Sequence, residues 1–113
     1  MSKVLDFTKQ KKEYLTVKLA DEKNTVLMVG MPTKNILTEF INLNESIDED
    51  DGVDIGSDVI DDLYRVTAKI LSFNKGGIHI SADYLSEFFD LNDIMVFFNA
   101  YMDFITSISN SKN

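Results

Sequence analysis

Between residues 13 and 20, Leu15, Val17 and Leu19 alternate with Tyr14, Thr16 and Lys18. A repeat of two places the apolar set on one face of a half-buried strand. Residues 21–24 form a polar turn, and residues 25–31 are an apolar, β-branched run. The stretch therefore predicts a β-hairpin, with residues 4–7 as a possible short third strand. A hairpin alone is marginal in water, so this one is expected to lie on helices or on the sheet of another chain.

The period then changes. After Pro32 and the candidate cap Thr33, Ile36, Leu37, Phe40 and Ile41 fall on one helical face, and the helix is expected to stop near Leu43 or Asn44. Ser57 is a candidate N-cap for a second helix with Asp58, Asp61 and Asp62 near its start, where negative charge suits the helix dipole. Its stripe reads Val59, Leu63, Val66, Ile70 and Phe73, with Asp61 and Arg65 four apart as a candidate ion pair. A short extended piece, residues 78–80, follows Gly76 and Gly77. Ser81 caps a third helix carrying Tyr84, Leu85, Phe88 and Phe89. Asn92 or Asp93 opens a fourth helix that reaches about Ile108.

These elements predict one α+β domain over residues 1–113, an N-terminal β-hairpin or small antiparallel sheet packed on about four helices. Residues 1–31 form the hairpin region and residues 32–109 the helical region, with an acidic loop at 45–57 and a frayed tail at 110–113. The fourth helix is over-rich in apolar residues: eleven of the fifteen from Ile94 to Ile108 are apolar or aromatic. An amphipathic helix covering one small core needs an apolar arc of only a little over a third of its circumference. Either several sides are buried within the chain, or part of the helix faces a partner or another copy. Phe97, Tyr101, Met102, Phe104 and Ile105 are the candidate partner-binding residues, since Met and aromatic side chains suit such surfaces.

Charge sharpens the division. The 113 residues carry a net charge of −8, but residues 1–40 sum to +2 and residues 41–113 to −10. Nine acids lie between Glu45 and Asp62 with no Lys or Arg among them. Such a run repels itself and reads as a solvated loop, and it is a poor surface for phosphate. It fails the calcium-loop pattern: aligning Gly52 as the sixth position puts Ile47 at the first, and aligning Gly56 puts Val53 and Ile55 at ligand positions. A divalent-metal site or a docking strip for a basic partner remains open for it.

Little asks for an enzyme. The chain has no Cys and one His, His79, set between two isoleucines. That excludes a thiolate nucleophile and leaves His79 without a companion zinc ligand. There is no Gly-x-Ser-x-Gly elbow and no Gly-rich phosphate loop ending in Lys-Ser or Lys-Thr. No catalytic residue, metal or cofactor is expected. Aromatic residues at 11% are incompatible with a wholly disordered chain. The longest strictly apolar run near the C-terminus is Ile94 to Phe98, far short of the ~20 residues of a membrane span. The opening MSKVLDFTKQKKEY has no apolar signal-peptide core. The cytoplasm is the expected location, with no nucleic-acid or membrane partner.

Three stretches carry a resemblance that spans nearly the full chain. One is Val4-Leu5-Asp6-Phe7, a Lys-rich step, and Glu13-Tyr14-Leu15-Thr16-Val17-Lys18-Leu19. Another is Gly30-Met31-Pro32-Thr33-Lys34. The last is Ile70-Leu71-Ser72-Phe73-Asn74-Lys75, followed by the closing Phe97-Phe98-Asn99-Ala100-Tyr101-Met102-Asp103-Phe104-Ile105. With these the chain resembles the small tail assembly chaperones of tailed phages and prophages of low-GC Gram-positive bacteria. The resemblance implies a non-enzymatic protein of the host cytoplasm that binds the hydrophobic, helical tape measure protein or other tail proteins until tube subunits polymerise. A homo-oligomer is expected. Two other classes compete: a structural tail or connector component kept in the virion, and an acidic inhibitor that mimics DNA.

Overall fold

The computed structural model describes residues 13–49 and 57–111, so a strand at residues 4–7 and the middle of the acidic run lie outside the described residues. The order is β1 (Tyr14–Lys18), β2 (Val26–Gly30), α1 (Lys34–Glu49), α2 (Ser57–Ser72), α3 (Ala82–Phe88) and α4 (Leu91–Ser111). This is the α+β arrangement that the change of period predicts: among the described residues, a two-stranded antiparallel sheet with four helices.

The hairpin pairs Leu15 with Val29 and Val17 with Leu27. Its turn is held by Asp21. The Asp21 carboxylate accepts from the Thr25 amide (2.9 Å), the Thr25 hydroxyl (2.7 Å) and the Tyr84 hydroxyl (2.5 Å). Asn24 takes a left-handed conformation, φ 50°, which Asn tolerates better than most residues. The bond from Tyr84, on α3, is the largest cause holding the Asp21 carboxyl at about 2, with the two Thr25 bonds next. The folded value lies below the unfolded 3.8, so this contribution to stability is complete above about pH 4 and fades as the pH falls towards 2. Asp21→Asn is therefore expected to melt lower than the parent at pH 6, with the gap between the two melting points closing below pH 4. A gap independent of pH would contradict this role.

α2 is the hub, packing on α1, α3, α4 and β2. It buries Leu63, Val66, Ala68, Ile70 and Leu71. Phe40 of α1 lies against Phe98 (ring centroids 4.8 Å) and Tyr101 (5.3 Å) of α4, and the Tyr101 hydroxyl donates to the Gly30 carbonyl at 3.1 Å. One ring cluster thus joins the first helix, the last helix and the end of the hairpin. Burial pushes the Tyr101 phenol up, so it stays a protonated donor. Thr67 is fully buried in α2, and its hydroxyl has no hydrogen-bond partner among the described residues. Thr67→Val keeps the β-branched shape and removes the orphan hydroxyl, so urea unfolding is expected to show a gain of about 1 kcal/mol.

Several expectations are corrected. α1 runs past Asn44 to Glu49, so the first part of the expected 45–57 loop is helical. Arg65 bonds Glu39 of α1 at 2.9 Å and Asp62 at 3.3 Å in place of the expected Asp61, and Lys69 also reaches Glu39 at 2.8 Å. The Glu39 carboxyl is held below its ordinary range, first by Lys69 and then by Arg65. These groups are partly exposed, so the network contributes little and chiefly sets how α1 lies on α2. α4 begins earlier than expected, behind a reciprocal cap. The Asp93 amide donates to the Asp90 side chain (2.8 Å) and the Asp90 amide donates to the Asp93 side chain (3.0 Å). It also runs to Ser111, into the expected frayed tail. Ser81 caps α3 as expected, its hydroxyl accepting from the Tyr84 amide at 3.1 Å.

Candidate partner-binding surface

The five residues that the apolar excess of α4 nominates do not form one exposed face. Phe97 and Tyr101 are buried in the chain's own core, stacked on each other at 5.5 Å. A partner therefore meets neither without unfolding the ring cluster. Met102, Phe104 and Ile105 are half-buried and pack on the edge of that core. The buried stripe of α4 is Ile94, Phe97, Phe98 and Tyr101, spaced three, one and three apart. Most of the apolar excess thus goes to intramolecular packing, because α4 meets both α2 and the Phe40 ring.

Among the described residues, four of the six exposed large apolar side chains lie on the hairpin or in the loop beside it, and Ile41 on α1 and Val96 on α4 lie elsewhere. In β2, Leu27 and Val29 point into the core, while Val26 (53% exposed) and Met28 face outward. Across from them on β1 stand Lys18 and Thr16, and Tyr14 stands opposite Gly30. The segment after α2 extends this face. The Gly30 amide donates to the Phe73 carbonyl (3.1 Å), and the Lys75 amide donates to the Met28 carbonyl (2.9 Å). Those bonds make residues 73–75 a third line of backbone beside β2, bridged at Val29 and Asn74. Phe73, expected at the foot of the α2 stripe, is 43% exposed beyond the helix end. Its ring lies over Gly30: a Cβ there would sit 3.4 Å from it, so the missing side chain lets the aromatic ring lie close to the strand.

The loop behind Phe73 is built by Asn74. Its amide nitrogen donates to the carbonyls of Leu71 (2.8 Å) and Ile78 (2.7 Å), and its oxygen accepts from the Ile78 amide (2.9 Å). Gly77, at φ +69°, closes the turn in a conformation most residues avoid. Ser72 and Ile80 exchange hydroxyl–backbone bonds, both at 2.9 Å, anchoring the far end. Phe73 and Ile78 are therefore held outward by a bonded loop.

Val26, Met28 and Phe73 thus form an exposed apolar strip on this outer face, with Lys75 beside Met28, while Ile78 is exposed in the loop behind it. Beside the strip, a cleft of about 230 Å³ lies between Tyr14, Gly30, Met31 and Phe73, with Glu13 and Lys75 at its mouth. The Lys75 ammonium lies 5.7 Å from the centre of the Tyr14 ring. Met28 supplies a flexible, polarizable contact, and Phe73 and Tyr14 supply area at low conformational cost. The strip's chemistry is that of an interface: apolar centre, aromatic anchors and a charged rim. The sequence signal for it was the unbroken apolar run of β2. In a two-stranded sheet with one face on the helices, a strand apolar on both faces leaves one of them uncovered.

His79 lies exposed in the extended piece before Ser81. Among the described residues, no three His, Asp or Glu side chains converge as a metal site. Among the same residues, no helix is long and apolar enough to cross a membrane. Comparisons of the chain with protein-family models, with curated proteins and with solved structures return no match.

Proposed function

We propose that this chain is a non-enzymatic, tail assembly chaperone-like protein of a tailed phage, acting in the host cytoplasm to keep the apolar, helical tape measure protein in solution. The observation that carries the proposal is the fixed apolar strip on the outer face of the hairpin, borne by a chain of net charge −8. A helix laid across the sheet would bury its apolar stripe on Met28 and Phe73, while Lys18 and Lys75 meet acidic residues at its edges. The acidic remainder repels other particles at long range and limits aggregation. Such a protein works as several copies along one long client, so self-association is part of the reading. Light scattering on the size-exclusion peak is expected to give more than one copy per particle.

The test is coexpression with the tape measure protein. The tape measure protein is expected to move from the pellet to the soluble fraction and to copurify with this chain at low and moderate salt. If it stays insoluble with the chain in excess, the proposal fails. Mass spectrometry of mature particles separates the chaperone from a virion component: a chaperone is absent or minor, whereas stoichiometric copies would make the chain a structural part of the tail.

A further inference from the structure

We propose that β1 pairs antiparallel with β1 of a second copy of this chain, about a two-fold axis at Thr16. The pairing supplies the self-association that the proposed function includes, and to that extent rests on that reading, but it needs no client. One edge of the sheet is already covered, since residues 73–75 bond to the outer side of β2 through the Gly30 and Lys75 amides. Among the described residues, no strand and no backbone hydrogen bond reaches the outer edge of β1. Beside that edge a groove of about 350 Å³ runs between β1 and α4, lined chiefly by Leu15, Val17, Phe89, Val96, Phe97 and Ala100. Val96, 59% exposed, is the most exposed large apolar residue among those described.

The backbone pattern fixes how a strand can add. The Leu19 amide donates to the Thr25 carbonyl across the hairpin, and the register pairs Val17 with Leu27 and Leu15 with Val29. Strand alternation then turns the amides and carbonyls of Tyr14, Thr16 and Lys18 to the outer edge. These are the first, middle and last residues of β1, so the strand is complementary to itself. Thr16 exchanges bonds with Thr16 of the second copy, and Tyr14 with Lys18 in both directions. A slip of one residue sets bonding positions against non-bonding ones. A slip of two leaves an end of each strand unpaired.

The side chains suit the same register. On the core side, Leu15 and Val17 face Val17 and Leu15 of the second copy, which lie over the groove towards Val96. On the outer side, two threonines meet, a favourable cross-strand pair, and each Lys18 lies against a Tyr14 ring. Charge also favours a second copy here. Residues 13–30 carry two Lys and three acids, only −1 of the net −8, so the copies meet where their repulsion is least. The one charge in β1, Lys18, meets a ring and not its own counterpart. A two-fold contact closes on itself, so it uses up the edge in a dimer. It also joins the two outer hairpin faces into one, with Met28 and Phe73 of both copies on the same side.

The chain has no cysteine, so a single introduced thiol can link only to another copy. Facing residues at a bonded position stand about 5.5 Å apart between Cα atoms, within disulfide reach. Mild oxidation of Thr16→Cys at moderate salt is expected to give mostly the dimer band on a non-reducing gel. Tyr14→Cys and Lys18→Cys, each about 14 Å along the strands from its own counterpart, are expected to stay monomeric alone and to cross-link when mixed. Ile41→Cys, exposed on α1, is expected to stay monomeric. Absence of the Thr16→Cys dimer, or equal linking of all four variants, would overturn the proposal. Thr16→Pro checks it without thiols. The Thr16 amide points away from β2, so proline removes an edge donor and spares the hairpin. With an unchanged circular dichroism spectrum, its mass by light scattering is expected to be about half the parent's at equal concentration. Equal masses would overturn the pairing, even for a parent that self-associates. No arm uses the tape measure protein, so failure here is distinct from failure of client binding.

Discussion

Phe40→Ala is expected to lower the unfolding free energy by about 3–5 kcal/mol, the cost of deleting a fully buried aromatic side chain and leaving a cavity. Domains of this kind hold about 5–15 kcal/mol in total, so the variant should be near the limit of folding at 37 °C. The effect is large because the ring touches both Phe98 and Tyr101, and Tyr101 in turn holds the Gly30 carbonyl. Removing one ring loosens α1, α4 and the end of β2 together. Ile41, the next residue on the same helix, is an exposed large apolar residue. Ile41→Ala is expected to cost only about 0.5 kcal/mol. Urea unfolding of both variants checks the contrast, and a Phe40→Ala loss below that of Ile41→Ala would contradict the ring cluster as the centre of the core.

The second large effect is on binding. Met28→Asp/Phe73→Ser puts a charge at the middle of the outer hairpin face and removes its aromatic anchor. Truncating anchors at the centre of an interface typically costs about 2 kcal/mol or more, so affinity for the tape measure protein is expected to fall by about 30-fold or more. Both side chains are exposed, so the melting point should change by only a few degrees. Ile41→Asp, which places the same charge on a different exposed apolar residue, is expected to bind as the parent does. If Ile41→Asp loses binding and the double variant keeps it, the partner surface is on α1.

The change from a repeat of two to helical spacing made the hairpin and all four helices legible, and Ser81 announced itself as a cap. What stayed hidden were partners distant in sequence. Arg65 has a carboxylate four residues before it, but Glu39 on another helix competes better because Lys69 binds the same carboxylate. The start of α4 was obscured because its cap is Asp-x-x-Asp and lacks the usual Glu or Gln. α1 outran its expected end because acids at a helix C-terminus are unfavourable for the dipole but do not by themselves stop the helix. The apolar wealth of α4 pointed to a partner, yet the structure turns Phe97 and Tyr101 onto Phe40 and each other. Val26 and Met28, in contrast, are exposed where the all-apolar β2 shows its second face.

In the proposed function the outer hairpin face holds an apolar helical client. The most direct measurement is the amount of tape measure protein copurifying with equal amounts of the parent chain, Met28→Asp/Phe73→Ser and Ile41→Asp at low and moderate salt. Capture is expected by the parent and by Ile41→Asp, and little or none by the double variant. Equal capture by all three, or none by the parent, would contradict the proposed function.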